Sequence, residues 1–298
     1  MAEPKENLSA LVRQKLKNMA AERKRPFDEM LRYYAMERFL YRLSVSPYAE
    51  KFFLKGGLML KVLDEIDHRA TMDIDLLGRT SNHIDNLRHI ISEVVAIPYE
   101  QDAIAFDIRK LIFRKAQTAG DYEGVNVSFS ARLHTAKIPL LIDIGFNDII
   151  IPQPQKVQYP TLLGMSHPIL LGYTLETIIA EKLEAVVKLA LANTRIKDFY
   201  DLWTILSNYE IEPERLTAAI HEVFANRKTK LKYPTSFSPV FYNSKETQQR
   251  WKTFLSSMGK NHIELGSCII AKNGILVNGV YFCIDANKNI QNVDGIFT

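Results

Sequence analysis

Lys55-Gly56-Gly57 and, shortly after it, Arg69-Ala70-Thr71-Met72-Asp73-Ile74-Asp75-Leu76-Leu77 decide how this chain is read. In a strand, side chains at i and i+2 share a face. Asp73 and Asp75 therefore point one way, while Met72, Ile74 and Leu76 point the other. Two carboxylates held that close repel unless a cation sits between them. Oxygen-only ligands on a rigid strand suit Mg²⁺, which takes one or two carboxylates and completes its shell with water and phosphate oxygens. The ordinary alternative is a solvated strand end with two surface acids, and Asp-Ile-Asp alone does not choose between them. The glycine pair falls between the short strand Lys51-Phe52-Phe53-Leu54 and a helix beginning at Leu58. A strand–glycine turn–helix junction can present backbone N–H groups to a phosphate. Many glycine pairs simply mark a tight turn.

Composition sets wide limits. The chain has 298 residues and 47% hydrophobic content, enough for one large or two modest domains. The net charge of +4 is compatible with an anionic partner such as a nucleic acid but too small to demonstrate one. The cluster Arg23-Lys24-Arg25 reads either as a phosphate-backbone contact or as a charged loop. Cys268 and Cys283 are the two cysteines, with neither zinc-type spacing nor a disulfide framework, which suits a reducing compartment. Met1–Glu6 is charged and lacks a signal-type core, and no apolar run reaches membrane-spanning length. A cytoplasmic location and no membrane partner are the expectations.

Periodicity places two helices over residues 5–45. The first carries Leu8, Leu11, Val12 and Leu16 inward, and the second runs from Phe27 to about Leu43 with Arg32, Glu37, Arg38 and Arg42 on its polar face. A further helix covers 82–96. Strands follow at 103–114, 122–134 and 138–146, with a hairpin turn at Gly120-Asp121 between the first two. Residues 138–146 are the most apolar and so the candidate central strand. Asp143 interrupts that strand, with Gly145 beside it on the same face. A carboxylate there needs a cation or a charged partner: a bound metal or a structural salt bridge.

Pro152, Pro154 and Pro160 read as a linker, and the pattern beyond them is helical. Leu175 to Leu191 is amphipathic, and Lys182 falls in the middle of its apolar stripe, with Glu181, Glu184 and Lys188 opposite. Lys182 either snorkels past its neighbours or reaches a site that holds phosphates or carboxylates. Asp198 and Asp201 open the next helix, where capping is the competing role. A helix over 213–226, an exposed basic run over 227–232 and aromatics at Phe237, Phe241 and Trp251 suggest a helical lobe; from His262 onward the chain looks β-like. The expected organisation is α+β: a mixed sheet flanked by helices over 1–151, a helical lobe over 152–258 and a tail of unassigned role over 259–298.

A glycine turn, an Asp-x-Asp strand, a third aspartate on a later strand and an inward lysine are together what metal-assisted nucleotidyl transfer requires. No Walker A motif, kinase loop, nucleophilic Cys/His pair or Gly-x-Ser-x-Gly is present. Five segments carry a resemblance: Lys55-Gly56-Gly57, Arg69 to Leu76, Ile142-Asp143-Ile144-Gly145, Ala180-Glu181-Lys182-Leu183 and Arg195 to Leu202. In order and spacing they resemble the AbiEii/AbiGii-type toxin nucleotidyltransferases, of the polymerase-β-like superfamily, over roughly residues 30–255.

The resemblance implies a polymerase-β-like core and a toxin of a toxin–antitoxin or phage-defence system, with a separate antitoxin protein as partner. It implies NTP as substrate, Mg²⁺ as cofactor and, in some members, addition of nucleotides to the 3′ end of tRNA, which blocks translation. It places Gly56 and Gly57 against the triphosphate, with Lys55, Arg69 and Thr71 in the nucleotide-binding segments, and Asp73 and Asp75 on Mg²⁺. Lys182 would contact phosphate, Asp198 would complete the catalytic set, and Asp143 would be the third, metal-binding carboxylate. Gly57 stands where many nucleotidyltransferases have serine, the spacing from Gly57 to Asp73 is long for the superfamily, and the tail after about Met258 has no counterpart. Transfer to a protein hydroxyl and NTP binding without turnover are the competing functions.

Overall fold

The computed structural model describes residues 4–63, 69–117, 123–232, 234–260, 262–270, 275–277, 280–284 and 290–291. The Gly120-Asp121 turn lies outside the described residues. The chain forms two compact units, one of Met1–Asn147 with Pro154–Tyr173 and the other of Asp148–Gln153 with Thr174–Thr298.

The first unit is built on a mixed sheet. Its strands are β1 (Phe52–Lys55), β2 (Ile74–Gly78), β3 (Ala105–Phe106), β4 (Ile112–Gln117), β5 (Glu123–Leu133), β6 (Ala136–Gly145), β7 (Gln155–Gln158) and β8 (Ile169–Gly172). They lie in the order β3-β5-β6-β2-β1-β8-β7, with β4 also on β5. The apolar 138–146 segment is central, as its composition suggests, between β5 and β2. β6 runs parallel to β2, and β1 parallel to β8, while the other pairs are antiparallel.

Alternation along β5 and β6 sets the two faces of the sheet. Val125, Val127, Ile142 and Ile144 are buried on one face, whereas Asn126, Ser128, Leu141 and Asp143 on the other are only half-buried. The inner face receives α2 (Phe27–Ser44), whose Phe39 ring lies 5.8 Å from that of Phe129 and 6.4 Å from that of Phe106. Helices α1 (Pro4–Glu22) and α4 (Ile84–Ala96) pack on α2, and α3 (Gly56–Leu63) joins β1 towards β2.

Several sequence readings change, and Leu11, expected to face inward, is 52% exposed. The 103–114 strand is interrupted: Asp107 accepts the Arg109 N–H and closes a short turn over Ile108–Lys110 that separates β3 from β4. The proline-punctuated stretch contains β7 and begins the return of the chain to the first unit, so it is not a simple linker. Glu37, Arg38 and Arg42 on the polar face of α2 are buried, because their charges find partners. Arg42 makes a bidentate pair with Asp102 at 2.6 and 3.3 Å and donates to the Ile97 carbonyl; Arg38 pairs with Glu37 at 2.8 Å, and Glu37 accepts the Leu162 N–H at 2.7 Å.

The second unit is helical: α5 (Leu175–Leu189), α6 (Ile196–Asn208), α7 (Pro213–Asn226), α8 (Pro239–Tyr242), α9 (Lys245–Ser257) and α10 (Leu265–Ile270). Thr174 caps α5 by accepting the Thr177 N–H. Phe199, Phe237 and Phe241 cluster with ring centroids 5.5 and 6.2 Å apart, and Trp251 donates to the Ile263 carbonyl. The region after His262 is therefore not β-like from its start. β9 (Ile275–Val277), β10 (Val280–Ile284) and β11 (Ile290–Gln291) follow α10 as a small antiparallel sheet. The expected α+β architecture, a mixed sheet flanked by helices and then a helical region, is present.

Removing one member of a buried ion pair strands the other charge in a medium that cannot solvate it. Asp102→Ala is expected to destabilise the first unit by about 3–5 kcal/mol, and replacing both Arg42 and Asp102 by leucine by distinctly less. Urea unfolding of the three proteins measures both differences.

Candidate active site

Strand pairing assembles a polar row across the outer face of the first unit's sheet. Asp75 on β2 is the register partner of Asp143 on the parallel strand β6. Asp143 faces Asn126 on β5, and Asp75 faces Lys55 on β1. Neighbouring strands lie about 4.8 Å apart, so Asn126, Asp143, Asp75 and Lys55 stand in one line across four strands. Asp73 precedes β2 and is half-buried, like Asp75 and Asp143. Ile74 and Leu76 fill the core behind them, while Met72 is 44% exposed and does not join that core.

Two residues complete the row that the sequence reading passed over. The Asn126 amide donates to Asp143 Oδ1, so Asp143 has a neutral partner as well as an outlet to solvent. Tyr173, just after β8, receives the Lys55 ammonium at 3.4 Å from its hydroxyl and 5.1 Å from its ring centre. Both depend on long-range pairing, which local sequence does not reveal.

The glycines have a structural reason of their own. Gly56 has φ of +64°, the left-handed region, and a Cβ there would stand 1.9 Å from Asp75 Oδ2. A Cβ on Gly57 would stand 2.6 Å from Thr71 Cβ. The turn is thus pressed against Asp75 on one side and Thr71 on the other. Thr71 is buried, and its N–H donates to the Tyr33 hydroxyl at 3.0 Å. Tyr33 of α2, also absent from the sequence reading, thereby ties the 69–71 segment behind the glycine turn. Burial raises the Tyr33 pKa to about 12, so the phenol keeps its proton at neutral pH. Arg69 is buried as well, with its guanidinium 3.4 Å from the Ala70 carbonyl.

The donor set suits a hard cation, since it contains oxygens alone. Among the described residues, no group of three or more His, Cys, Asp or Glu side chains is arranged as a metal cage. A half-exposed carboxylate pair fits Mg²⁺ all the same, because that ion keeps water and substrate phosphate in its shell instead of an all-protein cage.

The second unit holds Lys182, Asp198 and Asp201. Lys182 is buried on α5, and its ammonium donates to Asp198 at 2.8 Å and to Asp201 at 2.7 Å. Arg195 adds a 2.5 Å contact to Asp198. Both aspartates are buried and ion-paired, and the first turn of α6 has no side-chain cap, so capping is not their role. Burial alone would raise the pKa of Asp198; the Lys182 ammonium and then the Arg195 guanidinium overcome it and hold the carboxyl well below its usual range.

Neighbouring charges on α5 behave alike. Glu184, placed opposite the apolar stripe, is nonetheless buried, and with Glu181 and Asp148 it surrounds Arg227 at 2.8–3.0 Å. Arg227 is therefore not part of an exposed basic run. Burial would lower its pKa, but the three carboxylates raise it.

A carboxyl with a depressed folded-state pKa stabilises the fold above its unfolded value of about 3.9, and that stabilisation is lost as pH falls through the folded value. The wild-type second unit is therefore expected to lose stability progressively below about pH 5. Asp198→Asn, less stable at neutral pH by about 3–5 kcal/mol, should show a shallower decline in that window. Thermal unfolding as a function of pH measures both.

The family model described as nucleotidyl transferase AbiEii toxin, type IV toxin–antitoxin system, matches residues 38–265. Comparison with curated proteins returns no match. Among solved structures, JHP933 from Helicobacter pylori is similar at 12% identity and a TM-score of 0.43, over 78% of this chain and 90% of that one. A second H. pylori protein, provisionally assigned as a nucleotidyltransferase, is similar at 13% identity and 0.41, over 77% and 92%. The family match spans most of the chain and both the aspartate row and the Lys182 cluster: the chain belongs to the AbiEii family of nucleotidyltransferase toxins of type IV toxin–antitoxin systems.

Proposed function

We propose that this nucleotidyltransferase adds nucleotides from an NTP to the 3′ end of tRNA in a Mg²⁺-dependent reaction, and that translation stops as a result. The observation that supports this reading most is the line of Asn126, Asp143, Asp75 and Lys55 beside the Gly56-Gly57 turn. It sets carboxylates, a cation and backbone N–H groups at one edge of a glycine turn, the groups that a triphosphate and an attacking hydroxyl need.

In the proposed step the terminal hydroxyl oxygen of the acceptor attacks the α-phosphorus. The new P–O bond forms as the bond to the bridging oxygen breaks, and pyrophosphate leaves with that electron pair. Asp143, half-open to solvent and steadied by Asn126, draws the proton from the hydroxyl. Asp73, Asp75 and Asp143 would hold Mg²⁺, which would supply positive charge against the triphosphate. Gly56 and Gly57 let the backbone approach the phosphates, Lys55 adds positive charge, and Thr71, with Arg69 beside it, fixes the turn from behind. For Lys182 we propose phosphate contact and for Asp198 completion of the catalytic set. The alternative for both is purely structural, and Lys182→Met, destabilised by loss of its buried pairs, separates the two when transfer is read per folded molecule: transfer lost from the folded fraction supports phosphate contact, and transfer retained there a structural role.

The family implies an antitoxin partner. Among the described residues, no helix is long and apolar enough to cross a membrane. Incubation with Mg²⁺, each labelled NTP, total tRNA and cell extract tests the acceptor. Label is expected in tRNA, and Asp75→Asn should reduce its incorporation by at least about a hundredfold. Label in protein would assign a protein hydroxyl as acceptor instead, and binding without incorporation would overturn the proposed reaction.

A further inference from the structure

The hairpin of β5 and β6 extends well past the aspartate row, and its outer face has a character of its own. Moving away from the Asn126–Asp143 pair, the next outward pairs are Ser128 with Leu141, Ser130 with Pro139, and Arg132 with Lys137. Their inward neighbours are buried core, but Ser128, Ser130 and Leu141 are half-buried, and Pro139, Arg132 and Lys137 are exposed. On β4, exposed Arg114 stands opposite Asn126. Serine and asparagine hold positions where β-branched side chains would serve the sheet better.

The far end of this face is basic. A hollow of about 570 Å³ there is bounded by Arg109, Lys110, Arg132 and Lys137, with Asp107 as its acid. Asp107 lies 3.7 Å from Arg109 and 3.8 Å from Lys110, so positive charge predominates in the hollow. The hairpin face is thus acidic at one end, with Asp143, and basic at the other, with hydroxyl and amide groups between. Lys137 lies six positions before Asp143, about 20 Å of strand at 3.4 Å per residue.

We propose that this outer face is the track for the acceptor's single-stranded 3′ segment, its terminal hydroxyl at Asp143 and its upstream phosphates at Arg132, Lys137 and the hollow. The proposal rests on the RNA-acceptor reading above and adds where the strand lies. A polyanion is repelled by the aspartate row and attracted by the basic end, so the charge gradient orients the strand as well as holding it. Serine hydroxyls and the Arg114 guanidinium suit phosphate and sugar oxygens, contacts that position a strand without reading its sequence.

The test uses the full-length protein and a fluorescently labelled single-stranded RNA oligonucleotide, with anisotropy read across a salt series. Arg132→Gln with Lys137→Gln removes two phosphate partners, so the slope of log affinity against log salt should become shallower by about 1.4. Affinity at low salt should fall at least about tenfold, with NTP binding and the melting curve unchanged. If wild-type protein binds RNA and the double variant binds it with the same slope and affinity, the track is wrong while the RNA acceptor stands. If wild-type protein binds no RNA, the acceptor reading fails and the track with it. Displacement of the RNA by an Asp/Glu-rich peptide, with label transferred to protein, would overturn the track in favour of a protein acceptor.

Discussion

The parallel pairing of β2 with β6 is the constraint on which the first unit depends. Register in a sheet is all-or-none for side-chain direction, since a slip of one residue moves every side chain to the other face. Ile74 and Leu76 on β2, and Ile142 and Ile144 on β6, demand the core, and burying them leaves Asp75 and Asp143 side by side on the outer face. The hydrophobic side of the sheet thus positions the acidic side. Two carboxylates side by side repel, and a cation between them would relieve that repulsion. Gly56, packed against Asp75, makes the glycine turn part of the same constraint.

Both units place charge inside and satisfy it there. Arg42 with Asp102 in the first, and Lys182 and Arg227 with their carboxylates in the second, are buried pairs whose partners come from distant segments. Such pairs add little net stability over apolar packing but are costly to break singly. They make each unit sensitive to loss of one partner and tie its helices to a single arrangement. The Lys182 cluster does so with residues that the family resemblance also marks as functional.

What the sequence showed and hid follows from range. Asp75 opposite Ile74 and Leu76, the central apolar strand, the helices from 5 to 45 and the inward Lys182 all rest on local periodicity, and each was legible, whereas Asp73 lies before β2 and outside that alternation. The row of Asn126, Asp143, Asp75 and Lys55 was not, because pairing between β5, β6, β2 and β1 joins residues far apart in the chain. Buried charge was misread for a related reason. A polar helix face with Glu37, Arg38 and Arg42 looks the same in sequence whether water or a distant carboxylate meets it, and the same holds for Glu184 and Arg227. Tyr33 left a weaker signal, a phenol among the buried residues of α2, which needs a partner when buried. The prolines after residue 151 suggested a boundary, yet an edge strand tolerates proline beside it and β7 begins right after Pro154.

The central claim, that the carboxylates of β2 and β6 hold the nucleotide through a divalent cation, is most directly tested by binding without turnover. Calorimetric titration of a non-hydrolysable NTP analogue into wild-type, Asp75→Asn and Asp143→Asn proteins, with Mn²⁺ and with chelator, reads it. Wild-type protein should bind the analogue at least about tenfold more tightly with Mn²⁺, and both variants should lose that metal dependence. Equal metal-dependent affinity in all three proteins would contradict it.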